Sequence, residues 1–248
     1  MEKFDRLEIV VLATTERETL KETVNTLLGK CDTNDISEII ILMVSDSCPS
    51  ASVAKEIAEN NSSPVPISIH IQKTPGLYPA LYEATTLVRD CSHFLVIGSD
   101  LEMNPNSVPG MIDCSKKHPD AVVCASKFLK TSRREGYGFF HYFFNRAVNT
   151  AVGAIARIKG TELLSTFQIY PAHLLREMNF TDLYRTYYQY AFRPVVNGAK
   201  YIEIPTDYIR RTEGASNYNP KRYIDLGMTF LKTARDERKR IKIEKKNR

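Results

Sequence analysis

The sequence predicts an α/β fold, a mostly parallel sheet with helices on both faces, and three observations carry that expectation. Apolar, β-branched runs at residues 7–13, 38–44 and 94–97 and a third strand at 67–72 recur along the chain, and the 94–97 run is too short to form a helix of its own. Segments of helical periodicity separate them, and strands alternating with helices of about 10 to 15 residues build βα units. Polar and acidic residues collect beyond each run, where the loops of an open α/β sheet converge on a crevice.

Residues 7–13 run into Thr14-Thr15-Glu16, after which Leu20, Val24, Leu27 and Leu28 recur at helical spacing and Gly29 closes the element. The second run empties into Ser45-Asp46-Ser47-Cys48-Pro49-Ser50, ahead of a helix over residues 51–60. The third precedes Pro75-Gly76 and a helix over residues 79–88. Next comes Phe94-Leu95-Val96-Ile97-Gly98-Ser99-Asp100-Leu101-Glu102-Met103-Asn104-Pro105, a buried strand opening into a loop. Asp100 and Glu102 are close enough to face one divalent cation if the backbone turns between them. A plainer role is available to the same stretch, with Asn104 or Asn106 capping a helix and the acids merely near its positive end.

Past Pro105 the rhythm loosens. Residues 121–128 predict a strand, followed by a charged loop carrying Lys130, Arg133 and Arg134. Residues 137–158 form a helix by length, rich in rings (Phe139, Phe140, Tyr142, Phe143, Phe144) but too polar to span a bilayer. It is suited to packing on the sheet or to lying at a membrane surface. Residues 165–170 and 199–208 read as strands, and a final helix begins near Lys221 with Ile224, Met228 and Leu231 on one face. No repeat or linker is visible, so one main domain, residues 1–220, is expected, followed by a basic amphipathic helix or tail over 221–248.

A chain of 248 residues is long enough for a sizeable core. It contains no run of about 18 apolar residues and no apolar signal core behind its first residues, so a cytoplasmic protein is expected. Five cysteines and five histidines are scattered singly, which suits packed thiols and argues against disulfides or a histidine-type metal cluster. The net charge of +5 resides in the end of the chain, where eight Lys or Arg face three Asp or Glu between residues 235 and 248. Such a tail is a solvated helix end or a contact for anionic lipid; a nucleic-acid binder would spread its cations over a face.

Several short motifs, in order and spacing, resemble the family 2 glycosyltransferases of the GT-A fold, and among them the polyprenyl- or dolichol-phosphate sugar synthases. The similarity covers residues 7 to about 218. Leu12-Ala13-Thr14-Thr15-Glu16 stands where the family has Pro-Thr-Tyr-Asn-Glu, and Val44-Ser45-Asp46-Ser47-Cys48-Pro49 where it has Val-Asp-Asp-Gly-Ser-Pro. Gly76-Leu77-Tyr78-Pro79-Ala80 is similar to Gly-Leu-Gly-x-Ala, and Gly98-Ser99-Asp100-Leu101-Glu102 to the metal-binding Asp-x-Asp-Leu-Gln, with Gly98 in place of the first Asp. Glu162 followed by Ser165-Thr166-Phe167-Gln168-Ile169-Tyr170 resembles Asp before Ser-Gly-Phe-Arg-x-Tyr, and Arg211-Thr212-Glu213-Gly214-Ala215-Ser216-Asn217 resembles Arg-x-x-Gly-x-Ser-Lys. The departures fall on charged positions of the family, so the similarity speaks more firmly for the fold than for the activity.

The resemblance implies a Rossmann-like GT-A sheet and an inverting transfer of sugar from a UDP- or GDP-sugar donor to a lipid-phosphate or glycan acceptor. It implies a divalent cation, Mn²⁺ or Mg²⁺, held by Asp100 and Glu102, because negative charge grows on the departing diphosphate. Arg211 becomes the phosphate clamp and Glu162 the base or acceptor-orienting group, with Asp100 completing the catalytic set. Thr14, Glu16, Asp46, Gly76, Ser99 and Ser216 are implied around the donor. Lys127, Arg133 and Arg134 would receive an acceptor phosphate, and the aromatic helix with the basic tail would hold anionic lipid.

Other classes lack their signatures. The first strand is not followed by G-x-G-x-x-G, Gly98-Ser99-Asp100 is not G-x-S-x-G, and no Walker A loop occurs. The rival that survives is a GT-A-like module that binds a sugar nucleotide or a protein partner without turnover.

Overall fold

The computed structural model describes residues 3–89, 91–176, 178, 183–212 and 220–246. Seven strands form one sheet: β1 (Leu7–Ala13), β2 (Ile36–Met43), β3 (Ile67–Ile71), β4 (His93–Gly98), β5 (Ala121–Ser126), β6 (Gln168–Pro171) and β7 (Lys200–Pro205). Their order is β3-β2-β1-β4-β6-β5-β7. All neighbours are parallel except β6, which runs antiparallel to both β4 and β5. The α/β sheet expected from the apolar runs is thus present.

Side chains alternate across a strand, so continuous apolar runs supply two cores at once. From β1, Leu7, Ile9, Val11 and Ala13 face helices α1 (Glu18–Lys30), α2 (Ala51–Glu59) and α4 (Val108–Lys117). Val10 points the other way, toward α3 (Leu77–Leu87), α6 (Ala172–Arg176) and α7 (Leu183–Val196). Phe94, Tyr170 and Tyr190 are fully buried on that second face, and burial of the Phe94 ring stabilises the fold by about 1.5–3 kcal/mol. A third cluster joins α5 (Phe139–Ala156), α7 and α8 (Pro220–Lys246) around Phe192 and Phe230.

The helix that Asn104 or Asn106 is expected to cap is α4, whose extent the sequence leaves open because Pro109 and Gly110 interrupt its start. Its buried residues Val108, Met111, Ile112 and Ser115 nonetheless keep the spacing of one helical face. The Asn104 side chain accepts from the Asn106 amide at 3.0 Å in the turn that leads into it, so the capping role exists alongside the acids. On α8 the packed face differs from expectation. Ile224 and Met228 are 54% and 58% exposed, while Phe230, Thr233, Ala234 and Glu237 turn inward. Glu237 can be buried because Arg193 meets it at 2.6 and 3.1 Å and Arg240 at 2.9 Å. Among the described residues no helix is long and apolar enough to cross a membrane.

Candidate active site

The carboxyl ends of β1, β2, β3 and β4 bring the predicted polar residues to one end of the sheet. Beside them opens a cavity of about 1050 Å³, lined by Glu102, Lys127, Glu162 and Arg211 on its polar side and by Tyr78, Phe144, Tyr187, Tyr188, Tyr223 and Phe230 beyond.

Asp100 and Glu102 converge because the backbone does turn between them. Leu101 sits at φ 65°, a left-handed conformation that costs a leucine about 1–2 kcal/mol and is held here by its buried side chain. The Glu102 amide donates to Asp100 Oδ1 at 3.1 Å. The Arg211 guanidinium then pairs with Asp100 Oδ2 and lies 3.4 Å from Glu102 Oε2. Burial and the neighbouring Asp100 carboxylate raise the pKa of Glu102, with Arg211 and Lys127 opposing. Arg211 moves upward as well: burial works against its charge, and the Asp100 and Glu102 carboxylates outweigh it. A Cβ on Gly98 would stand 3.2 Å from Asp100 Oδ1, so the glycine leaves that carboxylate room.

A second charged pair sits on the same cavity wall. Glu162 is buried, accepting from Lys127 Nζ at 2.5 Å and from the Lys127 amide at 2.7 Å. Burial alone would depress the lysine, but the Glu162 charge holds its pKa above the ordinary value. The Glu162 segment is fixed from behind. Glu203 accepts from the Thr161 and Glu162 amides at 2.7 Å, and Asn149 Oδ1 takes the Leu163 amide at 2.6 Å. Neither Glu203 nor Asn149 was singled out from the sequence, because their task is visible only once β7 and α5 flank the loop. Arg134 turns inward to the carbonyls of Lys127 and Leu129, whereas Arg133 is exposed.

Around the exit of β1 the donated contacts are internal. Glu16 Oε2 accepts from the Thr14 amide, the Thr14 hydroxyl and the Thr15 amide at 2.9–3.0 Å. These bonds overcome the burial of Glu16 and lower its pKa. Ser99 is buried with its hydroxyl 2.8 Å from the Leu12 carbonyl, tying β4 to β1. Glu16 and Ser99 therefore fix the loops at the strand ends, where Thr14 is exposed; none of the three lines the cavity. Asp46 is exposed on the loop after β2, and Gly76, at φ 126°, caps α3 with its amide 3.2 Å from Gln72 Oε1. Neither lines the cavity. Ser216 lies outside the described residues. Gln168, at the family's arginine position, is wholly buried and bonds the Ser165 and Ala191 carbonyls, so it braces β6 against α7.

The tyrosines of the far wall come from α3, α7 and α8. Adjacent Tyr187 and Tyr188 were the available signal, lost because residues 171–198 show no clean period. Among the described residues, no three His, Cys, Asp or Glu side chains gather to hold a metal by themselves. Asp100 and Glu102 already share one cationic group, Arg211, so their two carboxylates would fit a single cation.

The family model described as Glycosyl transferase family 2 matches residues 8–176. No curated protein matches the chain. Among solved structures, glucosyl-3-phosphoglycerate synthase from Mycobacterium tuberculosis, in complex with Mn²⁺, UDP and phosphoglyceric acid, superposes with a TM-score of 0.66 at 14% identity, covering 94% of this chain and 78% of that one. The same enzyme with Mn²⁺, UDP-glucose and phosphoglyceric acid gives 0.61 at 13% identity over 94% and 79%. With Mn²⁺, UDP-glucose and glycerol 3-phosphate it gives 0.62 at 14% over 94% and 80%. Identity this low speaks for a shared fold.

Proposed function

The chain belongs to glycosyl transferase family 2, and on that premise we propose that it moves a sugar from a UDP- or GDP-sugar to a phosphate-bearing lipid or a glycan, with cation assistance and inversion at the anomeric carbon. The observation that carries this reading is the pairing of Arg211 with both Asp100 and Glu102, with Glu102 and Arg211 lining the cavity that also holds the Lys127–Glu162 pair. The UDP, UDP-glucose, Mn²⁺ and phosphate-bearing acceptors named for the similar structures support the same donor and acceptor chemistry.

Asp100 and Glu102 would hold the divalent cation, which when bound neutralises charge on the diphosphate leaving oxygen. Arg211, freed from the two carboxylates, supplies a guanidinium fork to the same diphosphate. Thr14 and Asp46 bracket the nucleoside end, with Glu16, Ser99 and Gly76 setting the loops and Ser216 following on the Arg211 segment. Lys127 faces the acceptor. A phosphate acceptor is ionised at neutral pH and needs no base, which suits Glu162 as an orienting group, since Lys127 engages both of its oxygens. Peripheral contact with anionic lipid at the cytoplasmic face belongs to this reading.

The second reading, a sugar-nucleotide-binding or protein-binding module without turnover, is favoured by Gly98 standing where the family has its first Asp. Thermal-shift measurements with UDP- and GDP-sugars, with and without Mn²⁺, followed by a donor-hydrolysis assay, separate the two. Cation-dependent stabilisation with turnover supports transfer, stabilisation without turnover supports the module, and indifference to every nucleotide overturns both.

A further inference from the structure

The exposed face of α8 is ordered along its length. Ile224, Met228, Lys232, Arg235, Lys239, Lys242 and Lys246 are all exposed, and at about 100° per residue they occupy one stripe roughly 80° wide. The stripe begins apolar and continues as five cations, with Asp225 and Asp236 along one edge. At its apolar end lies the start of α5. Phe144 meets Tyr223 with ring centroids 4.9 Å apart, and a Cβ on Gly227 would touch Phe144 and Val148, so the two helices are in register there. Phe139, Phe140 and Phe143, 70%, 84% and 55% exposed, open α5 at that end. Rings this exposed in one helical turn, on a helix packed against the end of α8 that carries the exposed Ile224 and Met228, are apolar surface that a water-facing role does not explain. Tyr223, His141 and Phe144 line the cavity, and the exposed Arg210 packs near Gly136, just ahead of α5.

We propose that the first turn of α5 and the exposed stripe of α8 form a seating face for an anionic lipid bilayer. The phenylalanines enter the headgroup zone and the α8 cations lie along the anionic surface, with the cavity mouth close to the lipid. Charge complementarity selects this occupant: a protein partner has no need of five cations in line, whereas a headgroup plane rewards each of them. Membrane binding itself stands on this surface alone. Its consequence, that the acceptor is drawn from the bilayer, rests on the transferase reading.

The test is co-sedimentation of the full chain with phosphatidylcholine vesicles containing or lacking phosphatidylglycerol, at low and high salt, without donor. Binding is expected only to the phosphatidylglycerol vesicles and is expected to weaken with salt. Combined charge removal at Lys232→Gln, Arg235→Gln and Lys239→Gln should lower the partition coefficient on the order of a hundredfold. Phe139→Ser with Phe140→Ser should abolish the part of the binding that survives high salt. Thermal midpoints and donor-induced shifts of these variants should match the parent, which separates loss of docking from loss of fold or of donor binding. Equal binding to both vesicle types, no binding to either, or concentration-dependent self-association removed by the phenylalanine changes would each overturn the proposal.

Discussion

The guanidinium of Arg211 is ion-paired to the carboxylate of Asp100, 111 residues earlier in the chain. The same guanidinium reaches Glu102, so one cationic side chain rests between the two proposed cation ligands. On the proposed reading a cation would compete with Arg211 for Asp100, and the donor diphosphate would compete with Asp100 for Arg211.

Replacing Asp100 by Asn should abolish Mn²⁺-dependent stabilisation by the nucleotide sugar and lower turnover by about 10²–10³-fold. Arg211→Lys should retain part of the donor shift while losing turnover, because an ammonium cannot present the planar fork. Thermal-shift titrations and steady-state rates check both. Unchanged cation dependence in Asp100→Asn would remove the assignment.

Glu162→Gln tests the acceptor side. Donor stabilisation and donor hydrolysis should persist, while transfer to a phosphate-bearing acceptor should fall by about a hundredfold as Lys127 loses its fixed partner. Comparing hydrolysis with transfer in one preparation separates acceptor positioning from a general defect.

Glu16 accepts from three donors around β1, and those bonds hold its pKa below the ordinary 4.5. A depressed carboxylate contributes stability that is full above pH 4.5 and is lost as pH falls through the folded value. Glu16→Gln should cost about 1–3 kcal/mol at pH 7 and make urea midpoints less dependent on pH below that point. An unaltered acid profile would contradict the account.

Glu8 behaves with the opposite sign. Burial, followed by the nearby Glu38 charge, outweighs a long bond from the Arg89 amide and raises its pKa from 4.5 to about 7. The folded chain is then favoured most below pH 4.5, and that advantage fades as pH rises through about 7. Glu8→Gln should stabilise the protein on the order of 3 kcal/mol at pH 8 and leave it nearly unchanged at pH 4. Urea unfolding at the two pH values checks the difference.

Much of the fold was legible because buried parallel strands read as near-continuous apolar runs, as β1, β2 and β4 do, whereas the half-buried edge strand β3 carries Ser68 and His70. The site was legible as far as residues at strand ends: Asp100, Glu102 and Glu16 stand where β4 and β1 stop. Their division of labour was not, since Glu16 and Ser99 look inward and only the packed loops reveal it. Helix α7 and its cavity-lining tyrosines were hidden by polar residues at intervals fitting no single period. On α8, Glu237 is inside and Ile224 outside, a reversal that depends on Arg193 arriving from another helix.

Strand β6 has a consequence for how the chain is made. It runs between β4 and β5, antiparallel to both, yet arrives some forty residues after β5 in the sequence. Until residues 168–171 emerge, the two halves of the sheet have no seam, and β4 and β5 each expose an unpaired edge of apolar sequence. Nascent chains shorter than this are the ones at hazard of pairing with each other. Synthesis beyond Pro171 closes the seam between β4 and β5, and the other edge of β5 stays open until β7 follows to pair with it.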